Sequence, residues 1–583
     1  MEFKMKKIVS LLLATALLCG ALLSLASCGA PDDAGAQISV YLGQDVFDFD
    51  PTDYYADSTA DQVMSLLFEP LFKLDDDGDL GCAAAKDYDI DESEREIVID
   101  LRETYWSDGI RVKAEDYIYA WGEFLLSPTS PNPAAALLYD IENAVAVKSG
   151  DLTSADLGAK ATGAYEITVT YREGADCDRL LANLASIATS PLRRDVVDNA
   201  KTYWSKDVST IVSNGPFKIA SLDRNVGEFT LARNLGYHQD PGAEDYTDKV
   251  TPASLVTFVS AEADYVITYD DLVNKTVFYM GDATLEDRIA YADEAEVVDD
   301  LSTYCYVFNT ENPLFKDSNV RRALSLAIDR ESLVAAVTFG KAATGFLPDS
   351  IAEEIYGEDA AARLEGNMTV AESLIADAGL SEDEMTFTLT VNADEESLAI
   401  ANIVKAAWSE LGFDVKIKAV SEVKASVVDT TLNENKLIYD SAIQSLVKEA
   451  SYGNRGFDVI ALDWQMYSND AFVALSAFTS HMNGCGVDIK TDIARTNISG
   501  WSNFDYDRLL NIAYQSEGDV RAEALKEAEK LLLEASPVIP LLYNQSFAFI
   551  NEDLSSISTD GFGNFVLTKV KQKNYQDYLP NED

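Results

Sequence analysis

Histidine is almost absent from this sequence: His238 and His481 are the two histidines among 583 residues. The sequence contains neither a Gly-x-Ser-x-Gly nor a His-Glu-x-x-His motif, and it has no glycine-rich loop that would hold phosphates. Paired carboxylates remain candidates for acid–base work, but with 99 acidic residues some pairs are expected by chance. We therefore expect no catalysis, no metal site and no cofactor.

Basic residues are scarce relative to acidic ones. The chain has 45 Lys and Arg against 99 Asp and Glu, a formal net charge of −54. A protein that binds nucleic acid needs a basic face, so nucleic acid is not expected as a partner. The charge fits a solvated surface, and it also fits electrostatic attraction of cationic ligands.

Cysteine is also sparse, with six residues and no Cys-x-x-Cys pair that would indicate zinc or a dithiol redox site. Cys19 lies in the first apolar run of the chain. Cys82, Cys177, Cys305 and Cys485 are far apart in sequence, and the spacing leaves their disulfide state open.

Long apolar runs are missing except at the N-terminus, where residues 8–25 follow three lysines. This arrangement predicts a secretory signal peptide over residues 1–27. The run ends in Leu-Ala-Ser-Cys, which looks like the bacterial lipobox and implies a diacylglycerol thioether on Cys28. Residues 28–37 would then form a lipidated tether, and two acyl chains would hold the protein firmly to a membrane. An ordinary signal, or a membrane anchor with a chance cysteine, is the alternative.

The remaining chain is too long for one core and suits two or three domains. Residues 302–309 are rich in Tyr, Cys, Val and Phe without a breaker, which predicts a buried strand. Residues 538–544 predict a second strand beside it. We expect the chain to pass between two lobes at these strands, so that residues 38–300 and 545–583 form one lobe and residues 301–544 the other.

The second predicted lobe has the pattern of an α/β domain. Residues 385–391 and 413–419 alternate as strands, and residues 400–411 between them have the apolar spacing of a helix. Such a unit implies a parallel crossover. Residues 434–451 read as a polar helical insertion. The acidic run 75–79 resembles part of a calcium loop, but Lys73 and Ala84 stand where that loop needs carboxylates, so we predict a hairpin turn.

Short motifs in a fixed order resemble the bacterial extracellular solute-binding proteins of family 5, the oligopeptide- and dipeptide-binding lipoproteins of ABC importers. They extend over about residues 37–575, and their joint order is more specific than any one of them. The motifs are Asp50-Pro51, Phe68-Glu69-Pro70-Leu71, Trp106-Ser107-Asp108-Gly109, Asn214-Gly215-Pro216-Phe217, Ala232-Arg233-Asn234, Val320-Arg321-Arg322-Ala323-Leu324, Ala327-Ile328-Asp329-Arg330, Phe457-Asp458 and Val538-Ile539-Pro540.

The resemblance implies an α/β fold with two lobes, like periplasmic binding proteins of class II, with the extra domain of the peptide-binding cluster and mixed sheets flanked by helices. It implies that a peptide is enclosed between the lobes, bound mainly through its backbone, and passed to the permease subunits of an ABC transporter. A monomer, anchored by lipid to the outer face of the cell membrane or in the periplasm, would follow.

The same resemblance implies the site residues. Asp463, Trp464, Gln465 and Met466 at a strand end would border the peptide, and Asp45, Val46 and Phe47 would face them from the first lobe. Trp464 would be either a stacking wall or part of the core. Many oligopeptide binders carry an aspartate for the peptide α-amino group where this chain has Tyr467, so Asp463 or Asp470 would have to substitute. Ser302 and Gln465 stand where some relatives have a cysteine pair.

Two alternatives keep the scaffold and change the role. Relatives also serve nickel chelates, haem, oligosaccharides and opines, but two histidines and the lack of a Met or Cys cluster argue against nickel and haem. A signalling lipoprotein that presents its ligand to a receptor is the other alternative.

Overall fold

The structure is a computed structural model that describes residues 35–579 with internal gaps. Outside the described residues lie 1–34, 44–45, 53–57, 201–202, 225–226, 241–249, 259–265, 358–363, 365, 422–423, 430–434, 481, 483–493 and 580–583, and only the backbone is described for Ser58, 424–429 and 435–440. The predicted signal peptide, Cys28 and Asp45 are therefore outside the described part of the chain.

An 11-stranded mixed sheet runs through the molecule in the order β15-β14-β18-β12-β19-β11-β1-β10-β9-β8, with β13 paired to β19. The strands are β1 (Gln37–Tyr41), β2 (Phe72–Leu74), β3 (Leu80–Cys82), β4 (Ala85–Asp91), β5 (Glu96–Leu101), β6 (Ala159–Gly163), β7 (Glu166–Thr170), β8 (Phe217–Asp223), β9 (Glu228–Arg233), β10 (Ser254–Phe258), β11 (Tyr279–Met280), β12 (Glu296–Phe308), β13 (Lys341–Ala342), β14 (Thr386–Asn392), β15 (Asp414–Val420), β16 (Lys424–Asp429), β17 (Asn435–Asp440), β18 (Val459–Gln465), β19 (Val538–Ile550), β20 (Leu554–Ser555), β21 (Ser558–Thr559), β22 (Phe565–Val566) and β23 (Lys571–Gln572).

Helices cover this sheet and connect its strands. The α-helices are Ser58–Leu67, Ala114–Tyr119, Ala144–Lys148, Cys177–Asn183, Arg194–Ala200, Tyr269–Val273, Leu285–Ala290, Ser318–Leu326, Arg330–Val337, Asp349–Tyr356, Met368–Ala378, Glu395–Glu410, Ala442–Ser451, Ala471–Ser476, Phe504–Gln515 and Gly518–Ala535. No helix among the described residues is both long enough and apolar enough to cross a membrane.

Strands β12 and β19, each of 13 residues, are the two crossing strands. Their first pairing joins Glu296–Asp299 to Gln545–Ala548, beside strands from the N-terminal part of the chain. Their second joins Thr303–Val307 to Val538–Tyr543, beside β18, and a register shift separates the two pairings. The predicted pairing of residues 302–309 with 538–544 is confirmed. The shift places residues 300–302 at the junction between the two halves of the sheet.

The central elements, between β12 and β19, contain the predicted α/β unit. Strands β14 and β15 are parallel along their whole length, and the helix Glu395–Glu410 connects them. The helical prediction for residues 434–451 is wrong in its first part, because 435–440 form β17 and pair antiparallel with β16. The helix begins only at Ala442, where the Ser441 hydroxyl accepts a hydrogen bond from the Gln444 N–H.

The N-terminal elements, before β12, include a separate four-stranded sheet in the order β4-β5-β7-β6. The acidic run 75–79 is a hairpin turn between β2 and β3, as predicted. Its Asp75 carboxylate accepts the N–H groups of Asp77 and Asp79 at 3.1 and 2.9 Å, and these hydrogen bonds stabilise the turn.

One hydrophobic cluster extends from the N-terminal elements into the central elements, and a second, the central cluster, lies within residues 304–542. Trp121 is buried in the first cluster and donates its indole N–H to the Thr189 carbonyl at 2.8 Å. Trp408 is buried in the central cluster and donates to the Leu324 carbonyl at 2.8 Å. Within the described residues Cys82, Cys177 and Cys305 are unpaired thiols.

Candidate ligand-binding cleft

A cavity of about 620 Å³ lies where the N-terminal elements, the central elements and the two crossing strands meet. Tyr41, Gln62 and Asp282 belong to its N-terminal wall, and Asn392, Ser397 and Trp464 to its central wall. Asp300, Ser302 and Asn544 of the crossing strands also line it. Asn392 ends the parallel strand β14 and Asp394 follows it, at the carboxyl end where α/β sheets commonly bind ligands.

Two interactions span the cavity and hold its walls together. The Gln465 amide of β18 donates a 2.6 Å hydrogen bond to Asp61 of the helix Ser58–Leu67. The Arg288 guanidinium binds Asp282 at 2.8 Å on its own side and Glu396 at 2.5 Å on the central side. The structure therefore has the two walls in contact, in an arrangement that would enclose a ligand.

Trp464 forms part of an aromatic cluster on the central wall. Its ring stacks on Phe478 with 4.9 Å between centroids and meets Phe346 edge-on at 5.8 Å. The side chain is 7% exposed and also lines the cavity. One ring thus serves both as packing for the central elements and as a wall of the cavity.

Asp463 lies on β18 opposite Tyr304 of β12. Its carboxylate accepts a 2.8 Å hydrogen bond from the Asn544 amide, which also donates to the Ser302 hydroxyl at 2.8 Å. Burial raises the pKa of Asp463 to about 7, and the hydrogen bond from Asn544 opposes this shift. Residues of β12, β18 and β19 therefore surround the Asp463 carboxyl group.

Asp300 lies in the register shift of β12 and is 8% exposed. Burial raises its pKa to about 7, while hydrogen bonds from the Leu301 N–H and the Ser302 hydroxyl act in the opposite direction. Its charge also contributes to the raised pKa of Asp463. Asp300 and Asp463 thus both line the cavity, and burial raises the pKa of each carboxyl group.

The structure brings most of the predicted site residues to the cavity. Val46, Phe47, Asp463, Trp464, Gln465 and Tyr467 all line it. Asp45 lies outside the described residues. Tyr467 has a left-handed backbone, with φ of 62°, immediately after the end of β18.

Met466 and Asp470 are placed away from the cavity. Met466 is fully buried, and its N–H donates to the Leu301 carbonyl at 2.9 Å. Asp470 caps the helix Ala471–Ser476 by accepting the Phe472 N–H. Both of its oxygens bind Arg521, at 2.7 and 2.8 Å, so its charge is already balanced within the protein.

Sequence analysis assigned none of Asp300, Asn544, Arg288 and Glu396 to the site. It did place the crossings between the lobes near Asp300 and Asn544, which lie within β12 and β19, so a polar residue next to a predicted apolar strand was the available signal. Arg288 and Glu396 meet across the cavity from distant parts of the chain, and no local pattern indicates their contact. Among the described residues, no cluster of three or more His, Cys, Asp or Glu side chains is arranged to hold a metal ion.

Two halves joined by two long strands, with a cavity between them, define a two-lobed solute-binding protein. The sequence model of the bacterial extracellular solute-binding proteins, family 5 (middle region), matches residues 80–484, and the chain belongs to this family. Its members are binding proteins of ABC transporters and not enzymes, which confirms the expectation drawn from the missing catalytic motifs.

Individual relatives agree with this assignment. The chain is 28% identical to the periplasmic murein peptide-binding protein MppA of Escherichia coli K12 over 503 residues, 82% of each chain. It is 25% identical to the oligopeptide-binding protein OppA of Bacillus subtilis strain 168 over 526 residues, 87% of each chain. The structure of the Escherichia coli murein tripeptide binding protein MppA superposes with a TM-score of 0.76 at 21% identity, covering 93% of this chain and 99% of that one. The two-lobed α/β fold is thereby confirmed.

Proposed function

We propose that this protein captures peptides in the cavity between its lobes and delivers them to the permease of an ABC importer. The observation that carries the proposal is the cavity itself, which the crossing strands, Trp464 and the contact between Arg288 and Glu396 surround. Its volume of about 620 Å³ is within the range of small-molecule sites and suits a short peptide. The peptide-binding relatives support this choice of cargo.

The lining offers the chemistry that a peptide backbone needs. Ser302, Asn392, Gln444 and Asn544 supply neutral donors and acceptors around the cavity. Such groups bind amides and carbonyls, which every peptide presents regardless of its side chains. The proposed lobes comprise residues 38–300 with 545–583, and residues 301–544. They would move apart at the crossing strands to admit and release the ligand.

Ligand binding can be tested by thermal and chemical unfolding of the purified protein with pools of peptides two to six residues long. A ligand at about 100 times its dissociation constant adds about 2.7 kcal/mol to the free energy of unfolding, provided that it binds only the folded state. We expect at least one pool to raise the unfolding temperature and the Trp464→Ala variant to lose most of this effect. Failure of every pool to stabilise the wild-type protein would contradict peptide binding.

We further propose that Cys28 carries the lipid that keeps a monomeric protein at the outer face of the cell membrane or in the periplasm. The Leu-Ala-Ser-Cys sequence after an apolar run supports this, and so does the extracellular character of the family. The Cys28→Ser variant should leave the membrane fraction, whereas Cys19→Ser, a matched control within the signal segment, should remain in it. Equal membrane retention of both variants would exclude the anchor.

A further inference from the structure

Acidic side chains dominate the charge of the cavity lining. Within the described residues the lining holds seven carboxyl groups and one cation, Arg288. The seven are Asp48, Asp282, Asp300, Asp394, Glu395, Glu396 and Asp463. Asp48 is paired with Lys206, and Asp282 and Glu396 are paired with Arg288, so among the described residues four carboxyl groups of the lining have no ion pair. A ligand that enters this cavity therefore meets an excess of acidic groups.

The charge of Arg288 is already balanced. Its guanidinium binds Asp282 at 2.8 Å and Glu396 at 2.5 Å, and it lies 4.9 Å from the centroid of the Phe547 ring. Its Nε also donates to the Ala283 carbonyl at 3.1 Å. Arg288 therefore connects the two walls and is poorly placed to attract the carboxylate of a ligand.

Asp300 and Asp463 differ from Asp282 and Glu396, because no described Lys or Arg forms an ion pair with either of their carboxyl groups. Asp463 is surrounded by further acids, since Asp300, Asp394 and Glu396 all contribute to its raised pKa. Asp300 in turn faces Asp560. Burying carboxylates without a cation is costly, and a cation supplied by the ligand would relieve that cost.

We propose that this cleft selects basic peptides, with the ammonium or guanidinium group of a Lys or Arg side chain bound by carboxyl groups of the lining that form no ion pair, Asp300 and Asp463 among them. This inference rests on the proposed peptide-binding function and specifies its substrate class. A Lys side chain is long and flexible, and its ammonium group has three donors that carboxylate oxygens can accept. An acidic side chain at the same place would meet like charges and be rejected.

The neutral part of the lining favours a basic peptide over a polyamine with the same ammonium chemistry. Ser302, Asn392 and Asn544 lie near the carboxyl pair and offer hydrogen bonds that suit amides and carbonyls. Asn544 already donates to Ser302 and Asp463, so the amide of Asn392 is the group left to pair with both the donors and the acceptors of a peptide backbone, whereas a polyamine offers donors alone. Titration can therefore distinguish binding of a basic peptide from binding of a polyamine.

The test is calorimetric titration of the purified protein with three pools of peptides, two to six residues long, that differ only in having Lys, Gln or Glu at one position. We expect the Lys pool to bind about tenfold tighter than the Gln pool, which corresponds to about 1.4 kcal/mol, and the Glu pool to bind weakest. Spermidine serves as the polyamine probe and should bind more weakly than the Lys pool.

Variants identify the carboxyl groups responsible. Asp300→Asn and Asp463→Asn should each reduce the ratio of Lys-pool affinity to Gln-pool affinity, with both affinities measured for each variant. Asp76→Asn, in the exposed hairpin turn away from the cavity, is the matched control and should preserve the preference. If Asp300→Asn does not fold, as judged by its thermal transition, Asp463→Asn decides the question alone.

The outcomes distinguish this inference from the function on which it rests. Equal affinity for the Lys and Gln pools, or a preference for Glu, would overturn the preference for basic peptides and leave peptide binding intact. A Lys preference that is undiminished in Asp463→Asn would overturn the assigned carboxyl site. Binding of spermidine without binding of any peptide pool would overturn both the inference and the proposed peptide-binding function.

Discussion

Asp463 and Asp470 are two aspartates of one short stretch, and the family resemblance made both of them candidates for the amino-group ligand that it implies near Tyr467. Asp463 lines the cavity, and burial raises its pKa to about 7. Burial acts on Asp470 in the same direction, but Arg521 and Arg179 outweigh it and lower the pKa of Asp470 below its usual value. Burial alone therefore does not determine the role of a carboxylate. Asp470 forms an ion pair with Arg521, whereas Asp463 forms no ion pair with a described Lys or Arg.

The largest expected effect comes from breaking the ion pair of Asp470. In Asp470→Asn the buried guanidinium of Arg521 loses its carboxylate, which costs about 3–5 kcal/mol when one partner of a buried pair is removed. The loss should appear in the free energy of unfolding measured with denaturant. Asp76→Asn, an exposed control, should stay within about 0.5 kcal/mol of wild type. A loss in Asp470→Asn as small as in this control would show that the pair contributes little.

A second prediction concerns the pH dependence of stability, which should have opposite signs at the two sites. The pKa of Asp463 is higher in the folded protein than in the unfolded chain, so its ionisation destabilises the fold as pH rises toward 7 and above. Asp463→Asn should therefore be more stable than wild type at pH 8, and this advantage should disappear as pH falls toward 4. The folded-state pKa of Asp470 is lowered, so its contribution is present at neutral pH and lost in acid.

Denaturant unfolding of wild type, Asp463→Asn and Asp470→Asn between pH 4 and pH 8 measures both trends in the absence of ligand. An advantage of Asp463→Asn that grows as pH falls would have the wrong sign and would contradict the raised pKa. The Asn side chain can still accept the hydrogen bond from Asn544, so the comparison isolates the charge.

The smallest expected effect concerns Glu396, whose contact with Arg288 joins the two walls of the cavity. Because this pair is partly exposed, Glu396→Gln should weaken binding of the best peptide pool by about 1 kcal/mol or less. Glu395→Gln is the matched control, because it removes the same charge from the lining, and within the described residues Glu395 forms no ion pair. Titration should show a weaker ligand complex for Glu396→Gln than for Glu395→Gln. Equal weakening would assign the effect to charge alone.

Much of the fold could be predicted from local patterns. The crossing strands, the unit of β14, helix and β15, and the turn at Asp75 each depend on residues close together in sequence. The strand β17 could not be predicted in this way, because its polar sequence gains strand structure only by pairing with β16. Secondary structure that depends on a partner strand is set by tertiary context.

The candidate site was likewise predicted in part from the sequence and determined in part by tertiary context. The end of β18 was predicted through the family resemblance, and Asp463, Trp464 and Gln465 do line the cavity. Met466 does not, because the turn at Tyr467 follows directly and Met466 packs into the core.

The sequence by itself determined that the chain is an acidic, two-lobed binding protein without the motifs of catalysis, since composition and short motifs are local properties. The tertiary structure decided which of the described carboxyl groups form an ion pair with Lys or Arg and which do not. Electrostatic compensation depends on distances between residues far apart in the chain, such as Arg288 with Glu396 and Arg179 with Asp470. Only the folded arrangement places Asp300 and Asp463 together in a cavity, because β12 and β18 are brought side by side by the sheet.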